Sequence, residues 1–328
     1  MTDAPDRVIF THEEVRYSAR EILHAKPDAI LAQRLLRDVL GVLPNDPELK
    51  EAKEASASSM WVRQLEAAQL PDGSWDRFHS QDIKTKTVFR TTEEAIDRAY
   101  ALGLEPDHVV LTRARQYIQN VLHADAQITD RDEKNEAWPL LVQFIVAGRL
   151  AQIDPTNKML DSFWRYLAEV ANQAFASGNY CLEDEAAAYL RLSGIHVPQG
   201  FLESQHALWI ISSRKLPYQL DRSLVEWLWN KPDGIRYLRA PLAEPKPYHI
   251  GYWLRSMNII TRFSSWREIT VDTLNNLWEQ RDNDGLWDFG SDISRSIDFP
   301  LSESWRQSTK RKMDYSTCIL VLLCKYFD

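Results

Sequence analysis

The side chains best suited to chemistry crowd the stretch 284–317, a long polar connection before an apolar segment. Long loops in compact domains are often functional, and arginine recognises planar carboxylate and phosphate groups. We therefore expect Arg306 and Arg311 to hold a diphosphate or an acidic substrate. The neighbouring residues expected to bind the same substrate are Asp288, Trp305 and Tyr315. The alternative is an ordered loop in which the arginines pair with aspartates.

A second loop, 75–80, has similar chemistry, because it contains an aromatic residue, an acid, an arginine and a histidine. Arg77 is expected to bind the same substrate, and His79 can act as an acid or a base near neutral pH. The alternative for His79 is an ordinary surface histidine. If the two loops follow equivalent turns, they lie at the same end of the fold and converge on one site.

The elements that must position these loops are helices. Apolar residues recur at helical spacing in many segments, among them 46–69, 106–122 and 314–327, and no convincing strand pattern is present. The chain has 11 Gly and 12 Trp in 328 residues. So little glycine argues against β-barrels, propellers and glycine-rich phosphate loops, and so much tryptophan needs a large core or an aromatic cavity. The sequence predicts an all-α protein of about 13 helical segments.

Composition and charge exclude several classes of function. The formal net charge of -8 gives no basic surface for nucleic acid. The longest apolar run, Cys318 to Cys324, is much shorter than the roughly 20 residues of a transmembrane segment. No secretory signal is visible, and three cysteines without a Cys-x-x-Cys pair suit a reduced cytoplasm and offer no thiolate metal site. We expect a cytoplasmic protein with a small-molecule ligand, and the oligomeric state stays open.

Three turns look alike, since each follows a helix and sets Asp-Gly before an aromatic residue. The first and third copies contain Gln69, Asp72, Gly73 and Trp75, and Gln280, Asp284, Gly285 and Trp287. A glycine after a helix supplies the left-handed conformation, and the aromatic residue packs back on the helices. With Gly178 and Gly234, the glycines are 105, 56 and 51 residues apart. This spacing predicts about six helical hairpins of roughly 52 residues in a single domain, 1–328.

The turn from Gln69 to Trp75 resembles the Gln-x-x-x-Gly-x-Trp repeat of squalene-hopene and oxidosqualene cyclases. The turn from Gln280 to Trp287 is a near match with one extra residue, and protein prenyltransferase β subunits have related turns. The resemblance to this terpenoid cyclase and protein prenyltransferase superfamily implies an (α/α)6 barrel, with inner and outer rings of helices around an apolar, aromatic-lined cavity. The chain has the length of one such barrel.

Class II cyclases of this superfamily protonate an alkene or epoxide with the central acid of an Asp-x-Asp-Asp motif. The run Asp130-Arg131-Asp132-Glu133 differs from that pattern at its last position. The resemblance therefore implies that Asp132 donates the proton and that Asp130 and Glu133 flank it. The alternative is a solvated charge run in a hairpin loop.

The resemblance implies a class II-type terpenoid cyclase that acts on a prenyl chain or prenyl diphosphate. The Asp-x-Cys pair of the prenyltransferase zinc site is absent, so no metal is expected, except Mg²⁺ if the substrate is a diphosphate. Two alternatives stay open: a six-hairpin-barrel enzyme that cleaves carbohydrate with paired carboxylates, and a non-catalytic barrel that binds a lipid or a partner. An apolar closed cavity favours the terpenoid cyclase, and facing carboxylates in a polar groove favour the carbohydrate enzyme.

Overall fold

A computed structural model describes residues 8–80, 88–130, 134–197, 200–292 and 297–328. The ordered elements in these ranges are helices, and strand pairing is limited to isolated bridges. The all-α prediction is therefore confirmed. No helix in the described part of the chain combines the length and the apolar character needed to cross a lipid bilayer.

The described residues form fourteen α-helices. In chain order they are α1 His12–His24, α2 Ala29–Arg34, α3 Pro47–Ala57, α4 Met60–Ala68, α5 Thr92–Ala101, α6 Val109–Leu122, α7 Trp138–Ile153, α8 Leu160–Ala174, α9 Leu182–Ser193, α10 Gln205–Ile211, α11 Tyr218–Trp229, α12 Ile250–Ile260, α13 Trp266–Glu279 and α14 Ser308–Cys324. A π-helical turn, Leu35–Val39, continues α2, and a 3₁₀ turn, Pro247–His249, leads into α12.

Side-chain caps decide where several helices begin. The predicted single helix over 46–69 is two helices, because the Ser59 hydroxyl accepts a hydrogen bond from the Val62 backbone N–H and starts α4 anew. Thr91 caps α5 by accepting from the Glu94 backbone N–H at 3.1 Å. This cap leaves Glu93 in the first turn of α5, where it is buried.

Two helices, α7 and α14, are buried over most of their length, as their apolar sequences predict. The backbones of α7 and α10 come close at Gly148, where a Cβ atom would lie 2.9 Å from the His206 Cα. Other contacts join α10 to α12, α12 to α14, and α14 to α2, while α8 and α9 pack against each other. The predicted start of the last helix at 314 is wrong by six residues, since α14 begins at Ser308.

The first and third repeat turns have closely similar geometry. Gly73 and Gly285 both have positive φ, 96° and 74°, a backbone conformation that glycine adopts without steric cost. Trp75 and Trp287 are both buried, and each indole N–H donates to the backbone carbonyl ten residues earlier, in the preceding helix. The turns therefore fasten the loops that follow them to the helices on either side.

Candidate functional site

Three side chains from distant parts of the sequence meet in the interior: His79 from loop 75–80, Glu93 from α5 and His206 from α10. The Glu93 carboxylate lies between the imidazoles, with Oε2 2.5 Å from Nδ1 of His79 and Oε1 2.6 Å from Nε2 of His206. One ligand atom from each residue lies within 4.8 Å of the others. We call these three residues the histidine–glutamate cluster. Two imidazole nitrogens and a carboxylate are donors that bind zinc and related divalent metals.

The loop that contains His79 is held by the carboxylate of Asp130. The backbone N–H groups of Phe78 and His79 donate to it at 2.5 and 2.8 Å, and that of Ser80 also donates. A carboxylate that accepts three backbone N–H groups fixes the loop conformation strongly. His79 is therefore held against Glu93, fourteen residues further along the chain.

Arg149 of α7 joins the cluster to a second group of charges. Its side chain is 1% exposed; Nε donates to Glu93 at 2.8 Å and Nη1 donates to Asp97 at 2.6 Å. Asp97 also accepts from Arg255 at 3.1 Å, and Arg255 donates to Asp298 at 3.1 Å. A buried row of alternating acids and arginines therefore leads away from the cluster.

Burial and pairing together set the protonation states of the cluster. Burial by itself would raise the pKa of Glu93, but Arg149 and the two imidazoles outweigh it and hold that pKa well below its usual range. Burial also opposes charge on His79, yet the neighbouring Glu93 raises the His79 pKa. Burial dominates at His206 and lowers its pKa. At neutral pH Glu93 is a carboxylate and His206 is a neutral imidazole, the form that binds metals.

A cavity of about 990 Å³ lies at the other end of this row of charges, where Asp97, Arg255 and Asp298 reach its wall. The lining comes from α1, α2 and its π-helical continuation, α5, α7, α10, α12, the start of α13 and α14, together with connecting segments. Seven basic and five acidic side chains are among the described residues that line it, although the whole chain has a formal net charge of -8. The cavity therefore has a local excess of basic over acidic side chains, and apolar side chains such as Trp209, Ile259 and Val321 also line it.

Arg262, Arg267 and Lys325 line one part of this cavity, which we call the cationic wall. None of the three forms an ion pair with an acid among the described residues. The two arginines donate to backbone carbonyls, and Lys325 donates to the side-chain amide of Asn258 at 3.0 Å. The Arg262 guanidinium also lies 5.0 Å from the ring centre of Trp209. The wall therefore offers three cations, none of which is in a close ion pair with an acid of the described chain.

The pKa values of Arg262 and Lys325 reflect their burial. Burial lowers the pKa of Arg262 to about 10. Burial, reinforced by Arg34, lowers the pKa of Lys325 to about 8, and Asp38 opposes the shift. Both side chains are still charged at neutral pH, and a bound anion would favour the charged forms.

Asp132 and Glu133, the proton donor and one flanking acid of the sequence prediction, lie outside the described residues. Asp130, the other flanking acid, holds loop 75–80 through its three backbone contacts. Arg77 in that loop donates to the backbone carbonyl of Thr129. Among the residues predicted to bind substrate, His79 is the one that enters the histidine–glutamate cluster.

The predicted binding residues of the stretch 284–317 lie elsewhere. Arg311 binds Asp288 through two hydrogen bonds of 2.9 and 2.7 Å, which is the alternative that the sequence left open for this arginine. The Tyr315 hydroxyl donates to a backbone carbonyl, and Trp305 stacks on Phe299 with ring centres 5.4 Å apart. Arg306 lines a smaller pocket of about 440 Å³ together with Trp305. Of the predicted residues in this stretch, none lines the cavity of about 990 Å³.

The repeat residues act within their turns. In the first turn, Gln69 donates to the backbone carbonyls of Gly73 and Val110, and Asp72 accepts from the Ser74 backbone N–H at 2.9 Å. In the third turn, Asp282 accepts from the Asp284 backbone N–H at 2.9 Å, so Asp282 has the role that Asp72 has in the first turn.

Sequence reasoning missed Glu93, His206 and Arg149. One signal was available for Arg149, which is the single charged residue in the apolar sequence of α7. A charge in a helix that is buried on all sides needs a buried partner of opposite charge. The pattern did not identify that partner, because Glu93 lies 56 residues earlier in the chain.

No family model, no curated protein and no solved structure matches this chain. The features of this chain that bear on its function are the cavity, the cationic wall and the buried charges.

Proposed function

We propose that this chain is an (α/α)6 barrel that binds an amphipathic anion in its central cavity. The proposed inner ring consists of the six helices α2, α5, α7, α10, α12 and α14. Each contributes to the cavity lining, as do α1 and the start of α13. Contacts between α7 and α10, α10 and α12, α12 and α14, and α14 and α2 support this ring. Two further bonds support its closure at α5, from Arg149 to Glu93 and from Arg34 to the Ala101 carbonyl at 3.0 Å.

The cationic wall is the observation on which the proposed ligand depends. The three cations of the wall are half-buried. Charges that are partly removed from water are normally paired, because losing hydration is costly. Arg262, Arg267 and Lys325 face a cavity of about 990 Å³ without an acidic partner in the described chain. Hydrogen bonds from such cations to phosphate or carboxylate oxygens are strong. An anionic group on the ligand would therefore complete this part of the wall.

The aromatic and aliphatic side chains of the same cavity suit an apolar body on that anion. Tyr100, Trp209 and Val321 line it, and Trp209 lies directly under the Arg262 guanidinium. A prenyl diphosphate combines both features, and the resemblance of the repeat turns to terpenoid cyclases and prenyltransferases favours this ligand class. Mg²⁺ would accompany a diphosphate, because it commonly binds through substrate phosphates.

Calorimetric titration tests the binding proposal. We expect farnesyl diphosphate to bind more tightly than inorganic diphosphate or farnesol, each measured with and without Mg²⁺. Arg262→Met and Lys325→Met should each lower the affinity for farnesyl diphosphate by about tenfold or more, because a charge-assisted hydrogen bond is worth about 1.5–3 kcal/mol. Arg222→Met is the matched control, since Arg222 is exposed on α11 and pairs with Glu226. Undetectable binding, or equal affinity in all variants, would contradict the proposal.

A second candidate function, acid-initiated cyclisation, is favoured by Asp298. Burial raises the pKa of this cavity carboxyl, Asp97 adds to the shift, and Arg255 opposes it. The raised pKa means that Asp298 holds a proton more readily than an exposed aspartate. When protonated, it could transfer the proton to a double bond, and aromatic faces such as Trp209 attract the carbocation that results. Product analysis with farnesyl diphosphate, geranylgeranyl diphosphate and squalene tests this function. Asp298→Asn should bind the ligand and form no product, whereas a wild-type protein that binds without turnover is a non-catalytic carrier.

A further inference from the structure

We propose that His79, Glu93 and His206 form a binding site for a divalent transition-metal ion, and that Zn²⁺ fits it best. Two histidines and one glutamate are an established zinc ligand set that leaves a fourth position for water or another ligand. None of the three residues lines the central cavity, so this site is separate from the proposed anion site. The inference therefore does not depend on the proposed function.

The distances within the cluster are compatible with an ion after small side-chain movements. Zinc bonds of about 2.0–2.1 Å in a tetrahedral site place neighbouring ligand atoms about 3.3 Å apart. The cluster has separations of 2.5 and 2.6 Å across the two imidazole–carboxylate contacts, with every ligand atom within 4.8 Å of the others. The two short contacts involve different oxygens of Glu93. Each must open by less than about 1 Å to admit the ion, and ligand atoms that lie farther apart must close to about 3.3 Å.

Neighbouring residues hold two of the three ligands in place, while Nδ1 of His206 is buried without a hydrogen-bond partner among the described residues. Asp130 fixes the His79 backbone at 2.8 Å, and Arg149 donates to the Glu93 carboxylate at 2.8 Å. Asp97 binds the same guanidinium at 2.6 Å, so the positive charge of Arg149 is offset within the interior. Outer partners of this kind orient metal ligands and raise metal affinity.

The two imidazoles are enclosed by aromatic rings. The Tyr237 ring centre lies 5.9 Å from that of His79 and 5.5 Å from that of His206, and Trp138 lies 6.3 Å from His79. Tyr237 adopts a φ of 73°, which is costly for a residue with a side chain. Strained residues of this kind are concentrated at functional sites. These rings limit water access to the cluster.

Metal analysis of the full chain tests the inference directly. After expression with added zinc and gel filtration, mass spectrometry should find about one zinc ion per chain. Removal with a chelator, followed by titration against a chromophoric competitor, gives the affinity. His79→Gln should lower the zinc affinity by about 100-fold or more. Losing an outer partner costs up to about 100-fold, and losing a ligand should cost at least as much. His196→Gln is the matched control, because His196 is exposed and lies outside the cluster.

Two measurements keep the test decisive if a variant folds poorly. Co²⁺ added to the zinc-free wild-type protein should give the visible absorption of a four-coordinate site, and Zn²⁺ should raise the melting temperature of wild type but not of His79→Gln. Substoichiometric zinc with no Co²⁺ spectrum would overturn the site, as would equal affinity in His79→Gln and wild type. Farnesyl diphosphate titration of His79→Gln should match wild type, which separates this result from a failure of the proposed anion site.

Discussion

The turns at Gly73 and Gly285 form the same joint but lead into different surroundings. In each turn the indole N–H of the following tryptophan donates to the backbone carbonyl ten residues earlier, at 3.1 Å for Trp75 and 2.7 Å for Trp287. The backbone N–H of each tryptophan also donates to a hydroxyl group of the next helix, at 2.9 and 3.0 Å. Each turn therefore joins two successive helices in the same way.

The loops after these two turns differ in what they contact. After Trp75 the chain reaches His79, which lies against the buried Glu93. After Trp287 it reaches the exposed Asp288, which pairs with Arg311 near the surface. The repeat therefore builds the helical hairpin. The chemistry depends on the buried partner that a loop contacts, which is Glu93 for the loop after Trp75.

The largest expected difference between the two regions concerns their arginines. Arg149→Met should lower the free energy of unfolding by about 3–5 kcal/mol, because it leaves Glu93 and Asp97 buried without their shared cation. Arg311→Met should cost about 0–1 kcal/mol, because Asp288 is exposed and stays solvated. Urea denaturation of both variants measures the two values. Equal losses in the free energy of unfolding would show that the region after Trp75 depends no more on buried charge than the region after Trp287.

Much of the fold could be predicted from the sequence, because its signals are local. Helical periodicity requires only neighbouring residues, and the turns at Gly73 and Gly285 place their key residues within seven positions of one another. The break before Ser59 was missed because a serine cap leaves the apolar pattern nearly unchanged.

The candidate site could be predicted only in part. His79 was identified from its loop, but its partner His206 lies 127 residues further along the chain. Spacing in the sequence does not encode which helices meet. The cationic wall was missed for the same reason, because Arg262 and Lys325 follow the ends of α12 and α14 and meet only when those helices pack together.

The glycines of the two turns provide the second test. At Gly73 an added Cβ would lie 2.3 Å from the Arg113 backbone oxygen, whereas at Gly285 it would meet nothing within 4 Å. Both substitutions force a side chain into positive φ, at about 1 kcal/mol. Gly73→Ala also overpacks the contact with a backbone atom. We therefore expect it to lower the free energy of unfolding by about 3–4 kcal/mol, compared with about 1 kcal/mol for Gly285→Ala. Thermal and urea unfolding measure both, and a costlier Gly285→Ala would contradict the difference in packing.

The carboxylates that hold the two loops provide a pH test. Asp314 accepts the backbone N–H groups of Leu301 and Ser302, as Asp130 does for loop 75–80. Burial raises the pKa of Asp314 to about 6, although the hydrogen bonds that it accepts from Ser302 and Leu301 lower the pKa. A raised carboxyl pKa means that the folded state binds the proton more tightly than the unfolded state does. The free energy of unfolding should therefore decrease as the pH rises from about 4 to about 6, and then level off above that.

The comparison of wild type with Asp314→Asn isolates this contribution. The decline assigned to Asp314 should be at most about 3 kcal/mol, since one unit of pKa difference is worth about 1.4 kcal/mol. Urea unfolding at a series of pH values measures it. A decline that persists unchanged in Asp314→Asn would assign it to other groups.

The tryptophans provide the smallest expected effect and the strictest test of equivalence. Trp75→Phe and Trp287→Phe each remove one indole hydrogen bond and part of a buried ring, which together are worth about 1–2 kcal/mol. Because both indoles are 1% exposed and make the same contact, the two losses should agree within about 0.5 kcal/mol. Urea denaturation under one set of conditions measures both. A difference larger than about 1 kcal/mol would show that the turns share their shape but not their energetic role, since differences between independent sites are normally smaller.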